Sequence, residues 1–307
     1  MRTLVLLLLA APASAAWFHG GSASIESPRR LYEAGKYAQV VEELEGKVER
    51  LAGAEQRQGY VYLARAHEKL GDLDKALGVY QLGVQLYPKD INLLTELGQL
   101  LHHSRLEQQA EPLFQKVLAI HPNNAAAHIG LGEIDHALGF LDRSAEHYEK
   151  ALETMGDHAG VWADYSEVLE SARDYKTAEL AARKSISLGA TVEARVDLAR
   201  ALRSQGRLDE ALDELETASA GRPDVATARA LWLLEAGRYD DAFAASDSLI
   251  KTKEPPLLAY WVRARVWLKR DRYAAAVDDL RKLAAEPRRA PFCAAAAKKL
   301  LEQLGAS

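Results

Sequence analysis

Residues 71–88, GDLDKALGVYQLGVQLYP, decide the fold, because the chain returns to their pattern at a regular spacing. A step of 34 residues from Ala76, Tyr80 and Pro88 arrives at Ala110, Phe114 and Pro122. Further steps of the same length lead to Ser144, Tyr148 and Ala178. Self-similarity at one fixed period of this size is typical of arrays in which each unit is too small to bury its apolar face alone.

Small residues recur at two positions of each repeat. One set follows a pair of larger residues in the first predicted helix and comprises Ala64, Gly98, Gly132, Ser166, Ala199, Ala230 and Ala264. The other lies in the second helix and comprises Ala76, Ala110, Ser144, Ala178, Ala211, Ala242 and Ala276. Because a small side chain lets a partner helix approach closely, the two columns predict where the helices cross. Glycines such as Gly71 and Gly139 fall between the two helices, where the left-handed conformation closes a helix.

The composition fits an all-helical protein with a large core. The chain has 307 residues, of which 48% are apolar, and its formal charge is −5. The charge is uneven, since residues 251–307 carry 13 Lys/Arg and 6 Asp/Glu, net +7, and residues 1–250 carry 26 and 38, net −12. Either surface charge has drifted along the array, or the basic end meets an acidic partner or a membrane surface. An acidic chain without interleaved aromatic and basic residues does not favour nucleic-acid binding.

The first residues have the pattern of a secretory signal. Arg2 precedes an apolar run, and Ala13 and Ala15 have the spacing that signal peptidase requires. We expect residues 1–16 to be this signal, cleaved after Ala15 or Ala16, and the mature chain to be periplasmic or secreted. An uncleaved anchor is the alternative, and lipid attachment is not expected because no cysteine lies near the site. Residues 17–26 are predicted to be a flexible leader.

The remaining chain divides into three parts. Residues 27–56 are predicted to form a degenerate first repeat, which begins with Ser27 as N-cap and Pro28 in the first helical turn. Residues 57–290 predict seven regular repeats. Residues 291–307 predict a capping helix with an apolar stripe at Phe292, Ala296, Leu300 and Leu304, broadened by Leu301.

These columns together resemble the tetratricopeptide repeat family, and the resemblance covers about residues 57–287. It implies an all-α fold, an α-α superhelix or solenoid of seven to eight helix-turn-helix repeats with a C-terminal capping helix. It also implies a protein-binding module whose partner lies in a concave groove lined by the first helices. The sequence departs from the family at Arg229 and Arg263, which replace large apolar residues. We therefore expect the last two repeats to stack less regularly.

Helical spacing selects the side chains that would face this groove. The predicted protein-binding residues are Arg65, Gln99, His102, Glu133, His136, Glu167, Glu170, Arg200, Arg203 and Arg265, accompanied by Glu68, His103 and Lys269. The centre of the set is acidic and contains histidines, and its C-terminal part is basic. Such a groove suits an extended or helical peptide with the opposite order of charge. The alternative is an ordinary solvated face.

The sequence gives little support for a carboxylate clamp, a metal site or a catalytic site. The carboxylate clamp of some family members is missing, because Val61, Arg65, Glu96, Ala126 and Gly130 occupy its positions. A metal site built from His102, His103, Glu133 and His136 suits zinc chemically but lacks any HExxH motif or paired cysteines. The lone Cys293 excludes an intramolecular disulfide and is expected to be a small packed hydrophobe. No phosphate loop or nucleophile motif is present, so we expect no enzyme and no cofactor.

The sequence therefore predicts an exported adaptor that binds a protein or peptide partner. Cell-envelope assembly, secretion and surface-appendage machinery are the settings that the resemblance and the predicted export imply. The alternative is a non-catalytic subunit that assembles into oligomers through its end repeats or its convex face.

Overall fold

A computed structural model describes residues 24–189 and 192–306. The predicted signal, residues 1–16, lies outside these ranges, as do residues 17–23 of the predicted leader. Ile25, at the end of that leader, is buried, and Glu26 begins the first helix. The described residues form α-helices and one short 3-10 helix at Val48–Arg50, which confirms the all-α fold class. Within the same ranges, no helix combines the length and the apolar character that crossing a bilayer requires.

The described residues form two compact units, which divide between residues 116 and 117. The first unit contains α1 (Glu26–Glu33), α2 (Tyr37–Leu44), α3 (Gly53–Leu70), α4 (Leu73–Leu86) and α5 (Ile91–His103), and α6 (Glu107–Ile120) spans the boundary. The second unit contains α7 (Ala125–Leu138), α8 (Leu141–Met155), α9 (Ala159–Ser171), α10 (Tyr175–Ser187), α11 (Val192–Ser204) and α12 (Leu208–Ala218). It continues with α13 (Pro223–Glu235), α14 (Tyr239–Ile250), α15 (Leu257–Lys269), α16 (Tyr273–Ala284) and α17 (Pro291–Gln303).

Successive helices in the second unit pack as a repeating array. Each first helix contacts the second helix that follows it, as α9 contacts α10, and each second helix contacts the next first helix, as α10 contacts α11. First helices also contact one another, since α9 meets α11 and α13 meets α15. In these two pairs the first helices of neighbouring repeats pack on one another, as the helical-repeat fold requires.

The two columns of small residues lie where the helices cross. A Cβ atom at Gly132 would lie 2.9 Å from the ring of Tyr148, and one at Gly98 would lie equally close to Phe114. Ser144, which occupies an alanine position, is fully buried and donates a hydrogen bond to the carbonyl of Gly132 at 2.7 Å. The columns therefore mark close helix contacts, as the sequence predicts.

The turn between the helices of a repeat requires a positive backbone φ angle. Gly71 and Gly139 have φ values of 84° and 81°. The corresponding turns at Arg105, Arg173 and Asp271 have φ values of 61°, 64° and 56°, although none of them is glycine. The repeat fold therefore imposes the left-handed conformation on side-chain-bearing residues, which ordinarily avoid it.

Two predicted details at the ends of the array are wrong. Ser27 does not cap α1, because the helix begins at Glu26 and the N-cap position is Ile25, with no side-chain cap. In α17 the predicted stripe is confirmed at Leu300, Leu301 and Leu304, which pack in the last core cluster, but Phe292 is 88% exposed, and Ala294 and Ala297 are buried instead. The helix packs on α16 and α15 as a cap, but its contact face is rotated away from Phe292.

The last repeats pack with a charged group in place of an apolar one. The Arg263 guanidinium donates to both carboxylate oxygens of Asp279, at 2.8 and 2.9 Å, and to Asp247 at 2.6 Å. Asp279 is only 2% exposed. The expected loosening of stacking is not seen at α15, which contacts α13, α14, α16 and α17. The ion pairs satisfy the charges that Arg263 and Asp279 bring to this repeat.

Candidate functional site

The candidate site is the surface of the second unit formed by α7, α9, α11, α13 and α15, which we call the first-helix face. One register position of these helices directly follows the small residue of each repeat. The occupants of that position are Glu133, Glu167, Arg200, Leu231 and Arg265. Glu167, Arg200 and Arg265 are exposed, and Glu133 and Leu231 are half-buried. None of the five is fully buried, so this register is available for contact with another molecule.

Carboxylates gather where α9 meets α11. Asp197 of α11 is 9% exposed and accepts a hydrogen bond from Arg200 at 3.1 Å. Burial raises the pKa of Asp197 to about 7, and Arg200 opposes that rise. The nearby carboxylates of Glu167, Glu170 and Asp164 raise the pKa of Asp197 further. This part of the face concentrates negative charge that a single arginine does not balance.

The same crowding affects the neighbouring acids. Burial raises the pKa of Glu170, and Glu167 adds to this rise while Arg200 opposes it. Loss of solvent also raises the pKa of Asp164, again with a contribution from Glu167. Asp164 retains an exposed side chain, so water screens its carboxylate better than that of the buried Asp197.

Towards the C-terminal end the face becomes aromatic and basic. Arg203 lies over the Trp232 ring, 4.6 Å from its centroid, and donates a hydrogen bond to the carboxylate of Glu235. Arg265 lies over the Trp261 ring at 5.6 Å. These cation–π contacts hold two arginines against the face while leaving both of them exposed.

In the first unit, Arg65 takes part in a polar network instead of standing alone. It forms a bidentate ion pair with Glu96, in which Arg65 Nε lies 2.9 Å from Glu96 Oε2. The buried Tyr80 hydroxyl lies 2.9 Å from Glu68 Oε1 and 3.1 Å from Glu96 Oε2. Burial raises the pKa of Glu68, and the hydrogen bond from Tyr80 opposes that rise. The pair between α3 and α5 thus fixes Arg65 within its own unit.

The remaining predicted residues are half-buried. Gln99 and His102 lie on α5 in the first unit, and burial lowers the pKa of His102. In the second unit, His136 Nε2 lies 3.1 Å from Ser171 Oγ. In residues 24–189 and 192–306, no group of three or more His, Cys, Asp or Glu side chains is arranged to hold a metal ion.

One buried polar cluster was not predicted. His128 is 4% exposed, and its Nε2 lies 2.9 Å from the Pro122 carbonyl oxygen, which fixes that nitrogen as the donor. His128 Nδ1 lies 3.0 Å from His147 Nδ1, so His147 must donate there. Burial lowers the pKa of His147 to about 4. The cluster joins α7 to α8 inside the repeat and does not lie on the first-helix face.

The residues that sequence reasoning missed on the face are Asp197, Trp232 and Glu235. Asp197 lies 33 residues after Asp164, one residue short of the 34-residue step. A comparison of repeats that allowed for this shorter step would have aligned the two residues. Trp232 directly follows Leu231 and Glu235 ends the helix. Their contacts with Arg203 cross from α11 to α13, a pairing that no single repeat reveals.

Comparison with known proteins agrees with the repeat pattern. Sequence models described as tetratricopeptide repeat match residues 57–100, 108–158, 166–226 and 196–256, which together exceed half of the chain. Among curated proteins, the human protein O-mannosyl-transferase TMTC1 is 29% identical over 102 residues, which is 32% of this chain. The match covers only 12% of the length of that relative.

Several solved structures share the fold. A tetratricopeptide repeat protein from Parabacteroides merdae superimposes with a TM-score of 0.58 at 19% identity, covering 80% of this chain and 97% of that one. The Cut9–Hcn1 complex gives a TM-score of 0.61 at 14% identity, covering 81% and 49%. PilW, a type IV pilus biogenesis factor, gives 0.54 at 18% identity, covering 64% and 92%. These similarities establish a shared helical-repeat architecture.

Proposed function

Because this chain belongs to the tetratricopeptide repeat family, whose members are generally protein–protein interaction scaffolds, we propose that it is a non-catalytic adaptor. Its partner is a protein or peptide that binds along the first-helix face. The proposed setting is an exported one, with residues 1–16 as the secretory signal, in cell-envelope assembly, secretion or surface-appendage machinery.

The observation that carries this proposal is the row of charged residues in one register of the first-helix face. Glu167, Arg200 and Arg265 are exposed in consecutive or nearby repeats, although the core does not require a charge at that position. The row changes from acidic to basic along the unit. A partner with basic residues opposite α9 and acidic residues opposite α15 would match it, which favours correct register over mispairing.

A cationic partner would reduce the electrostatic repulsion within the acidic cluster. Burial raises the pKa of Asp197, and repulsion from Glu167 and Glu170 raises it further. A cationic side chain of the partner placed among them would lower that pKa and restore the charged carboxylate. Binding is therefore expected to weaken at high salt and at a pH below about 7, where Asp197 takes up a proton.

The test is capture of binding proteins from a native envelope extract by immobilised protein. The variant Glu133→Lys/Glu167→Lys/Glu170→Lys reverses three charges on the first-helix face. Its matched control is Glu146→Lys/Glu153→Lys/Asp213→Lys, which makes the same change at exposed positions of second helices α8 and α12. We expect captured partners to fall at least tenfold with the first variant and to remain with the control. Equal capture by both variants would remove the groove from the proposal.

An oligomeric structural subunit is the second candidate, and one observation favours it. Phe292 is 88% exposed on α17, at the end of the array, where it could contact another copy of the chain. Sedimentation of the purified protein and of Phe292→Ser tests this idea. A stable oligomer that the substitution dissociates favours the second candidate, and a monomer in both favours the adaptor.

A further inference from the structure

A cavity of about 350 Å³ opens on the first-helix face between α13 and α15. Leu231, Leu234, Tyr239 and Trp261 are the apolar and aromatic part of its lining, and Glu235, Arg265 and Lys269 are the charged part. All seven residues belong to the second unit. The volume lies at the small end of the range for ligand pockets, roughly 300–1,000 Å³, and suits one or two large apolar side chains.

The two leucines of the lining are unusual for their positions in the repeat. Leu231 occupies the register that holds Glu133, Glu167 and Arg200 in the preceding repeats of this unit. Leu234 occupies the register of Arg203, three positions further along the helix. Both leucines are half-buried and so remain in part accessible to water. This repeat therefore presents apolar surface to solvent where its neighbours present charge.

The charges at the rim do not cancel. The single carboxylate of the lining, Glu235, is already paired with Arg203, which itself lies on Trp232. Neither Arg265 nor Lys269 forms an ion pair within the described part of the chain, and both are exposed. They lie four residues apart on α15, an arrangement in which like charges destabilise a helix slightly. The cavity is thus lined by apolar side chains together with two cations that no carboxylate of its lining pairs with.

We propose that this cavity binds an acidic peptide segment of the partner with one large apolar side chain. The apolar side chain enters between α13 and α15 against Trp261 and Leu231, and neighbouring carboxylates lie over Arg265 and Lys269. The inference rests on the proposed function, because it specifies the chemistry of the partner at one end of the same face. Aromatic and arginine contacts in a partly desolvated pocket are the kind that dominate binding energy.

Selection from a random library of peptides about twelve residues long, with the full chain as target, tests the inference. We expect the enriched peptides to share a large apolar residue flanked by Asp or Glu. Binding of the most enriched labelled peptide is then measured by fluorescence anisotropy on the protein and its variants. R265E/K269E should weaken binding at least tenfold, and Leu231→Gln should weaken it at least fivefold.

The matched control is K298E/K299E, which reverses two exposed charges on α17 and should change the affinity less than twofold. Failure to enrich any peptide, enrichment of basic or purely polar peptides, or equal binding to R265E/K269E would each overturn the inference. The proposed function is judged separately, by capture with the variant that reverses Glu133, Glu167 and Glu170. If capture still depends on those three glutamates but peptide binding does not depend on the cavity residues, only the inference is refuted.

Discussion

The Asp197 carboxylate offers a direct test of the electrostatics of the first-helix face. Replacing it by asparagine keeps the size and shape of the side chain but removes its ability to ionise. The folded protein holds the pKa of Asp197 at about 7, compared with the ordinary value of 3.8 in an unfolded chain. The substitution therefore removes a group that the fold prefers to keep protonated.

The sign of the effect follows from the direction of that shift. Below pH 3.8 the carboxyl is protonated in both states, so its contribution to stability is fully present. As the pH rises through about 7 that contribution is lost, because the folded state must either ionise a buried carboxylate or retain a costly proton. The full shift corresponds to an upper limit of about 4 kcal/mol. The asparagine variant also loses the ion pair with the exposed Arg200, which offsets about 0.5 kcal/mol.

We expect Asp197→Asn to be more stable than the parent by about 1–3 kcal/mol at pH 8 and nearly equal to it at pH 4.5. The assay is urea unfolding followed by circular dichroism across this pH range, taking the difference between variant and parent at each pH. Asp213→Asn on the exposed surface of α12 is the matched control for the loss of one surface carboxylate. A variant whose stability difference is flat with pH, or largest in acid, would show that Asp197 is not held protonated by its surroundings.

Other predictions concern the packing that carries the face. Arg263→Leu leaves Asp279, 2% exposed, without its cation and should cost about 3–5 kcal/mol, whereas the double variant Arg263→Leu/Asp279→Leu should lie within about 1 kcal/mol of the parent in urea unfolding. A double variant as unstable as the single one would refute the pairing argument. Gly132→Ala places a Cβ 2.9 Å from the Tyr148 ring and should destabilise by about 1–2 kcal/mol, while Gly78→Ala, which meets nothing within 4 Å, should stabilise by about 0.5–1 kcal/mol in thermal unfolding. Arg173→Gly relieves a φ of 64° and should raise the free energy of unfolding by up to about 1 kcal/mol; a loss of stability would mean that the turn carries no strain.

The periodicity of the sequence determined the fold. A fixed 34-residue step placed the small residues at helix crossings, and this inference succeeds because the geometry of a helix pair is set by local spacing, which is contained in the linear order of residues. Helical spacing also selected Glu133, Glu167 and Arg200 as face residues, and their part in binding stays a prediction. The capping helix was likewise recognised, and its predicted contact face is correct at Leu300, Leu301 and Leu304 but wrong at the exposed Phe292 and Ala296.

Only the tertiary structure decided which charges are paired and which remain available. The sequence presents Arg65, Arg203 and Arg265 as equivalent cations, yet Glu96 pairs with the first and Glu235 with the second, whereas Arg265 lies over the Trp261 ring and forms no ion pair with the residues that the structure describes. It also could not show that Arg263 is satisfied by Asp279, or that Asp197 is buried. Ion pairing and burial depend on distances between helices of different repeats, and those distances are set by the packing of the whole unit rather than by any one repeat.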